Sequence, residues 1–308
     1  MSLKSLNIPV IDFIGRRKYA MIFSAILLIV SMVSIGFQGL KFGIDFTGGT
    51  LIELGYEKTA DLEGIRSKLA SANFKSANVQ YFGSDTEVLI QLKPQAVSSA
   101  KLSSSIIRML GEGIDVRRVE FVGPKVGEEL TNDGGLAMLY ALIGILIYVA
   151  FRFEYRFALG SIAALIHDVI ITLGVFSLLQ IEFDLTVLAA ILAVIGYSLN
   201  DTIVVFDRIR ENFLATRQVE AGPIVNEALN QTLSRTLMTS LTTLLVLFAL
   251  FYLGGEVIHS FAGALLIGVV IGTYSSIYVA SSTILAMGIS KEDMLPSEKE
   301  KKEIDARP

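Results

Sequence analysis

The stretch DLTVLAAILAVIGYSLNDTIVVF, residues 184–206, decides the fold class. It is long and mostly apolar, and a helix needs about 20 such residues to cross the hydrocarbon core of a bilayer. Asp201 nevertheless lies inside it. Because a charged side chain at the bilayer centre costs at least about 2.5 kcal/mol, such a residue is expected to have a partner or a function. The stretch therefore predicts a membrane helix with a carboxylate that needs an explanation.

Five further stretches of the chain have the same length and apolar character. The whole chain is 52% hydrophobic and only 18% charged, whereas a soluble domain carries about 25% charged residues. The sequence therefore predicts a six-span helical membrane protein. We place the spans near 19–38, 134–151, 157–179, 184–206, 236–253 and 260–288.

Lys and Arg residues are concentrated on one side of the predicted spans. They precede the first span and follow the second and fourth, and they recur in the tail, whereas the short segments 180–183 and 254–259 contain none. Because positively charged loops stay in the cytoplasm, both termini are predicted to be cytoplasmic and residues 39–133 extracytoplasmic. We interpret the first span as an uncleaved anchor, since its apolar stretch is longer than a signal-peptide core. The predicted division is 1–38 for the N-terminus and first span, 39–133 for the outer domain, 134–288 for the five-span bundle and 289–308 for a solvated tail.

The outer segment shows a different periodicity. Residues 49–56 alternate like a strand, and 60–72 have helical spacing. Two strands at 79–82 and 87–92 flank a turn at Gly83 to Thr86, and a helix at 95–110 precedes a last strand around 116–121. The order βαββαβ predicts an extracytoplasmic α+β domain, ferredoxin-like, between the first and second spans of a membrane α-helical bundle. A contact surface and a purely structural cap are both compatible with this domain.

Two glycine-rich junctions flank the outer domain, GIDFTGGT at 43–50 and FVGPKVGEEL at 121–130. Their residues suit tight turns, and equally a hinge that lets the domain move against the membrane part. Both interpretations stay open. The residues concerned are Gly43, Asp45, Gly48, Gly49, Gly123, Pro124 and Gly127.

Several ionisable and polar residues lie within or at the ends of the predicted spans. Asp168 lies near mid-membrane beside His167, while Asp201 and Arg235 lie at similar depths near the cytoplasmic side, where they could pair across helices. A static buried cluster and a proton relay are both possible at these positions. The candidate relay residues are Asp201, Arg235, Asp168, His167, Asn200 and Thr239.

The last span repeats a small residue at every fourth position, in Gly268, Gly272, Ser276 and Ala280. Small residues at this spacing allow two membrane helices to approach closely. We therefore expect this stripe to be a helix-packing face.

The counts and motifs of the chain exclude several classes of function. The net charge of −4 argues against a nucleic-acid-binding protein. No Cys and only two His exclude thiol chemistry and leave little material for a metal site. No G-x-x-x-x-G-K-[ST] loop occurs, so an ion gradient is the remaining energy source. We expect no enzyme activity and no cofactor.

Three motifs together resemble the SecF family of the bacterial SecD–SecF protein-export complex: GIDFTGGT, VGPKVGEEL and GYSLNDTIVVFDRIREN, the last at 196–212. The similarity covers about residues 12–295. It implies a bundle of the resistance-nodulation-division type in the bacterial cytoplasmic (inner) membrane. It also implies a SecD-like subunit, the SecYEG channel and YajC as partners, and preproteins as substrates.

The resemblance further implies that the proton motive force promotes late preprotein translocation and release, with protons as the coupling ion. The fourth-span carboxylate and fifth-span Arg that the family links to proton transport correspond to Asp201 and Arg235. His167 and Asp168 match a family-typical pair. A transporter of small molecules or lipids would need a second bundle, and a purely structural scaffold would need no titrating group; both remain alternatives.

Overall fold

The fold is described by a computed structural model for residues 10–72, 74, 77–94, 99–111, 114–152, 154–216 and 220–294. Most of the predicted tail and the segment 1–9 lie outside these residues, as do the first positions of the helix expected at 95–110. In chain order the elements are α1 (Arg17–Gln38), β1 (Lys41–Phe42), α2 (Ile44–Thr47), β2 (Gly49–Tyr56), α3 (Leu62–Ser71), β3 (Asn78–Phe82), β4 (Ser84–Leu92), α4 (Ser99–Leu110), β5 (Ile114–Val122), α5 (Pro124–Arg152), α6 (Tyr155–Leu179), β6 (Glu182–Phe183), α7 (Leu185–Ala215), α8 (Ala221–Leu253), α9 (His259–Ser275), a π-helix (Ser276–Ala280) and α10 (Ser281–Ala286).

Six helices of the described chain are long and apolar enough to cross a membrane: α1, α5, α6, α7, α8 and the continuous run from α9 to α10. They coincide with the six predicted spans, but three extend well beyond the apolar stretches. Helix α5 begins at Pro124, α7 continues to Ala215, and α8 begins at Ala221. Hydropathy marks where a chain can meet lipid, whereas a helix continues through polar residues until its own ending signals.

The interpretation of 121–130 as a run of turns is wrong, because residues from Pro124 onward are helical. Proline is well suited to the first turn of a helix, where its missing N–H group would have no helical partner. Gly123 stays between β5 and α5, and Gly127 lies inside the helix. The second junction therefore includes the first turn of α5.

A four-stranded antiparallel sheet in the order β3-β4-β2-β5 lies, in sequence, between α1 and α5. Its apolar face packs on α3 and α4, with Ile52, Leu54 and Ile106 fully buried. The strands and helices predicted for this unit are confirmed over the described residues, and the turn between β3 and β4 differs. The turn between β3 and β4 is made at Gly83 alone, which has φ +75°, and Ser84 already belongs to β4 opposite Phe82. The four-residue turn expected at 83–86 is wrong, since glycine allows a tighter reversal.

The sheet is attached to the bundle at the turn between α6 and α7. Strand β1 pairs in parallel with β6, which aligns Lys41 with Glu182. Gln91 of β4 donates its side-chain amide to both carboxylate oxygens of Glu182, at 2.6 and 2.7 Å. Burial raises the pKa of Glu182, while the Gln91 hydrogen bond and the Lys41 charge act in the opposite direction. The α+β unit and the bundle thus share a polar contact outside the spans.

The bundle is centred on α7, which is buried against α6, α8 and α9. The small-residue stripe of the last span is confirmed as a packing face. A Cβ atom on Gly268 would collide with Val194, and one on Gly272 would lie 3.0 Å from the Ser198 Cβ. These glycines let α9 approach α7 almost backbone to backbone.

Candidate functional site

The first buried carboxylate of the bundle is Asp168, in the middle of α6 and only 1% exposed. Its Oδ1 atom lies 2.9 Å from Nδ1 of His167. Its Oδ2 atom accepts hydrogen bonds from the hydroxyls of Ser198 at 2.5 Å and Ser275 at 2.8 Å. Three helices therefore converge on this group, and both oxygens are satisfied as burial requires.

The second buried carboxylate is Asp201, in the middle of α7 and 7% exposed. Its Oδ1 atom accepts a hydrogen bond from the Thr236 hydroxyl of α8 at 2.7 Å. Its Oδ2 atom accepts a short hydrogen bond from the Ser276 hydroxyl. Asp201 is thus held by neutral hydroxyl donors from two neighbouring helices.

The two carboxylates lie near each other in the bundle, because two of their serine donors are consecutive residues. Ser275 is the last residue of α9, and Ser276 is the first residue of the π-helix. Successive residues of a helix differ by only about 1.5 Å along its axis. The difference in membrane depth predicted for Asp168 and Asp201 stays a prediction. π-Helical turns inside α-helices are rare and often mark functional sites.

The expected ion pair between Asp201 and Arg235 is not formed within the described residues. Arg235 is exposed, and the next residue, Thr236, faces Asp201 instead. Neighbouring residues on a helix point about 100° apart, so a small difference in helix rotation decides which of the two faces inward. The sequence did not show which of the adjacent polar residues, Arg235 or Thr236, faces Asp201.

The candidate relay residues Thr239 and Asn200 also lie outside the buried cluster of the described chain. Thr239 donates to carbonyls of its own helix, and Asn200 is exposed on α7. The inward polar line runs instead through Thr236 and Ser240, one turn apart. Ser240 lies 2.6 Å from the Thr273 hydroxyl and accepts from the Tyr197 hydroxyl at 3.3 Å.

Sequence reasoning missed the serine and threonine donors that hold the carboxylates. A hydroxyl in a membrane helix commonly bonds its own helix, so these residue types alone give little signal. Ser276 was recognised only as a packing residue. The available signal was spacing, since Ser198 lies three residues before Asp201 and so shares its helix face. The donors missed are Ser198, Thr236, Ser275 and Ser276.

His167 connects the Asp168 site to the first span. Its ring stacks on Tyr274, with centroids 6.1 Å apart. The Tyr274 hydroxyl donates to the Ala20 carbonyl at 2.6 Å and lies 3.0 Å from the Ser24 hydroxyl, both in α1. The Nε2 atom of His167 is buried and has no hydrogen-bond partner within the described chain.

The predicted hinge glycines lie at a close contact between α2 and α5. A Cβ atom on Gly127 would lie 2.9 Å from the Phe46 carbonyl oxygen, and one on Gly48 would lie 3.0 Å from Cα of Pro124. Gly48 and Gly49 have φ values of +67° and +142°, which favour glycine.

The remaining junction residues also contact neighbouring elements. A Cβ atom on Gly43 would lie 3.0 Å from a Glu182 carboxylate oxygen. Asp45 accepts a hydrogen bond at 3.1 Å from the backbone N–H of Leu185, at the start of α7. The two junctions predicted from the sequence therefore meet each other and the α6–α7 turn.

Comparison with known protein families shows which family the chain matches. A family model described as "Protein export membrane protein SecD/SecF, C-terminal" matches residues 103–290, more than half of the chain. The chain belongs to the SecD/SecF family of protein export membrane proteins. A second model, "SecD/SecF GG Motif", matches residues 33–60, which include Gly48 and Gly49. Members of the family are membrane proteins, in agreement with the six long apolar helices.

Individual relatives place the chain on the SecF side of the SecD/SecF family. It is 54% identical over 305 residues to "Protein translocase subunit SecF" of Vibrio alginolyticus, which covers 97% of both chains. The protein of the same name from Pseudomonas aeruginosa is 46% identical and covers 99% of this chain and 100% of its own. A crystal structure of SecDF from Thermus, titled a translocon-associated membrane protein, superposes with TM-score 0.83 at 40% identity. The match covers 91% of this chain but only 39% of that longer SecDF chain.

Proposed function

We propose that this chain is an accessory subunit of the Sec protein-export machinery that acts with a SecD-like subunit. In this role it uses the proton motive force to promote late translocation and release of preproteins. Relatives of nearly equal length carry the name of a translocase subunit, which supports a role in export rather than catalysis. The Thermus SecDF chain is much longer than its match to this chain, which favours a SecD-like partner here.

The observation that carries the mechanism is the pair of buried carboxylates in the centre of the bundle. A buried ionised carboxylate is costly, and hydroxyl donors lower that cost only in part. Proton uptake relieves this cost, which makes a buried carboxylate a suitable relay group. We propose Asp201 as the principal relay group and Asp168, with His167, as the second.

Arg235, Asn200 and Thr239 have a separate place in this proposal. They lie exposed on α7 and α8 of the isolated chain, outside the buried cluster. A guanidinium inside a membrane needs an anionic or polar partner, because lipid cannot solvate it. We propose that these three residues face the SecD-like subunit, where Arg235 exchanges partners as protons move between the subunits.

The proposed topology places the chain in the bacterial cytoplasmic membrane with both termini in the cytoplasm. The α+β unit is then extracytoplasmic and ferredoxin-like, since its strand order and its βαββαβ succession match that architecture. The glycines at the α2–α5 contact would act as the hinge between this unit and the bundle. SecYEG, YajC and preproteins are the further partners, protons are the coupling ion, and no other cofactor is required.

Export assays in inverted membrane vesicles test this function. Asp201→Asn and Arg235→Met are expected to leave assembly intact and to abolish the stimulation of preprotein translocation by the proton motive force. Asp207→Asn and Arg210→Met make the same chemical changes beyond the predicted spans and are expected to keep the stimulation. Full stimulation in both relay variants would refute the proposed function.

A further inference from the structure

The two serines between the buried carboxylates each have two possible acceptors. The Ser275 hydroxyl lies 2.8 Å from Oδ2 of Asp168 and 3.1 Å from the Gly272 carbonyl oxygen. The Ser276 hydroxyl contacts Oδ2 of Asp201 and lies 3.0 Å from the Thr273 carbonyl oxygen. A hydroxyl has a single hydrogen to donate. Each serine can therefore serve the carboxylate or its own helix as donor, with both acceptors already within reach.

The backbone links these two choices directly. The Gly272 carbonyl that is the second acceptor of Ser275 also accepts the backbone N–H of Ser276. This carbonyl lies in the turn at which α9 becomes the π-helix, where the helical hydrogen-bond pattern already changes. A change in the Ser275 hydrogen bond thus acts on the same carbonyl that positions the backbone of Ser276.

We propose that Ser275 and Ser276 are positioning residues that couple the protonation of Asp168 to that of Asp201 through the π-helical turn. When Asp201 takes up a proton, its carboxyl group becomes a donor. The Ser276 hydroxyl then donates to the Thr273 carbonyl and accepts the new O–H group through its oxygen. No covalent bond of the serine changes, and the proton departs when the carboxyl group ionises again.

Ser275 makes the equivalent exchange at Asp168, with the Gly272 carbonyl as its second acceptor. Helix α7 reinforces the link, because Ser198 donates to Asp168 three residues before Asp201 on the same helix. The two carboxylates consequently belong to one hydrogen-bond network, through which the protonation of one group can act on the other. This inference rests on the proposed proton relay and adds the residues that connect its two sites.

Infrared difference spectroscopy on the full chain in lipid vesicles measures the coupling. The carbonyl stretch of each protonated carboxyl group is assigned by its loss in Asp168→Asn or Asp201→Asn, and its amplitude is followed against pH. In the wild-type background, Asp168→Asn is expected to change the proton affinity of Asp201 by about tenfold, as for residues of one network. In a Ser275→Ala, Ser276→Ala background the same substitution is expected to have a clearly smaller effect, because only the direct interaction of the two charges remains.

Two matched variants separate coupling from a general packing defect. The pair Ser275→Thr, Ser276→Thr retains both hydroxyls and is expected to restore the tenfold effect. Ser282→Ala removes a buried hydroxyl of the same continuous helix that has no hydrogen-bond partner within the described residues, and it is expected to behave as wild type. An equal effect of Asp168→Asn with and without the two serine hydroxyls would overturn the coupling while leaving the relay intact. A spectrum in which no carboxyl band depends on Asp201 would overturn the relay itself.

Discussion

In the α+β unit the large, fully buried side chains are apolar, among them Ile52, Leu54 and Leu69, whereas the bundle encloses His167, Asp168 and several hydroxyls at its centre. The surfaces are reversed as well, since α1 and α8 expose apolar residues along much of their length. Water drives the folding of the unit by the burial of apolar area. Lipid is as apolar as a leucine side chain, so the bundle can instead place its polar groups inside and satisfy them there. Stability should therefore depend on apolar packing in the unit, and function on polar contacts in the bundle.

The largest change in local stability is expected from Leu54→Ala in β2. Leu54 has no exposed surface, and a Leu→Ala change in a core costs about 2–5 kcal/mol. Amide hydrogen exchange of the sheet in the full chain measures this loss. Leu51→Ala, on the other face of the same strand, is the control and should cost much less. Equal losses at the two positions would show that the sheet is not packed on one face as described.

A smaller loss is expected from Gly127→Val, at the contact that joins the two regions. The new side chain would press on the Phe46 carbonyl and the Gly48 backbone, and overpacking of this kind costs about 1–3 kcal/mol. Gly135→Val is the matched control in the same helix, because a Cβ atom there has no neighbour within 4 Å. Thermal unfolding in detergent compares the two variants. A loss of stability in both alike would contradict the specific role of the α2–α5 contact.

The smallest expected effect is a change in pH dependence at Glu182, where the unit meets the bundle. Burial raises its pKa above the ordinary 4.5, so the folded chain binds this proton more tightly than the unfolded chain. The resulting stabilisation is present below the ordinary pKa and is lost as the pH rises through the raised value.

Glu182→Gln cannot titrate, and the melting temperature of this variant is expected to depend less on pH across that interval. Melting curves of the full chain in detergent at a series of pH values measure the difference. Glu129→Gln, at an exposed position of α5, serves as the control. Identical pH profiles for wild type and Glu182→Gln would contradict the buried environment of this group.

The same contrast explains which features the sequence predicted. The spans and the strands were predicted from hydrophobic patterns. A long apolar run indicates a helix in lipid, and alternation of apolar and polar residues indicates a strand with one face in water. The packing face of the last span was also predicted correctly, because small residues such as Gly268 and Gly272 at this spacing allow helices to approach closely. The ends of the helices were harder to predict. Helix α8 begins at Ala221, and its first turns contain polar residues that a hydropathy profile does not assign to a span.

The inner polar contacts were predicted only in part. The buried position of Asp201 followed from the cost of a charge in lipid, but its partner did not. Arg235 and Thr236 are adjacent, and the rotation of α8 that turns Thr236 inward depends on packing against α7 and α9. The serine donors could not be recognised for a similar reason, since a hydroxyl fits its own helix as well as a neighbour.

We propose that the carboxylate of Asp201 carries protons through the bundle. Proton flux into vesicles that contain the full chain with its SecD-like partner tests it most directly, with Asp201→Asn compared against wild type. Asp207→Asn is the control, because it removes another carboxylate from the same helix. The ion pair of Asp207 with Arg152 is exposed and contributes little to stability. Asp201→Asn is expected to abolish the flux, and Asp207→Asn is expected to preserve it. Undiminished flux in a folded, assembled Asp201→Asn variant would show that Asp201 does not carry the protons.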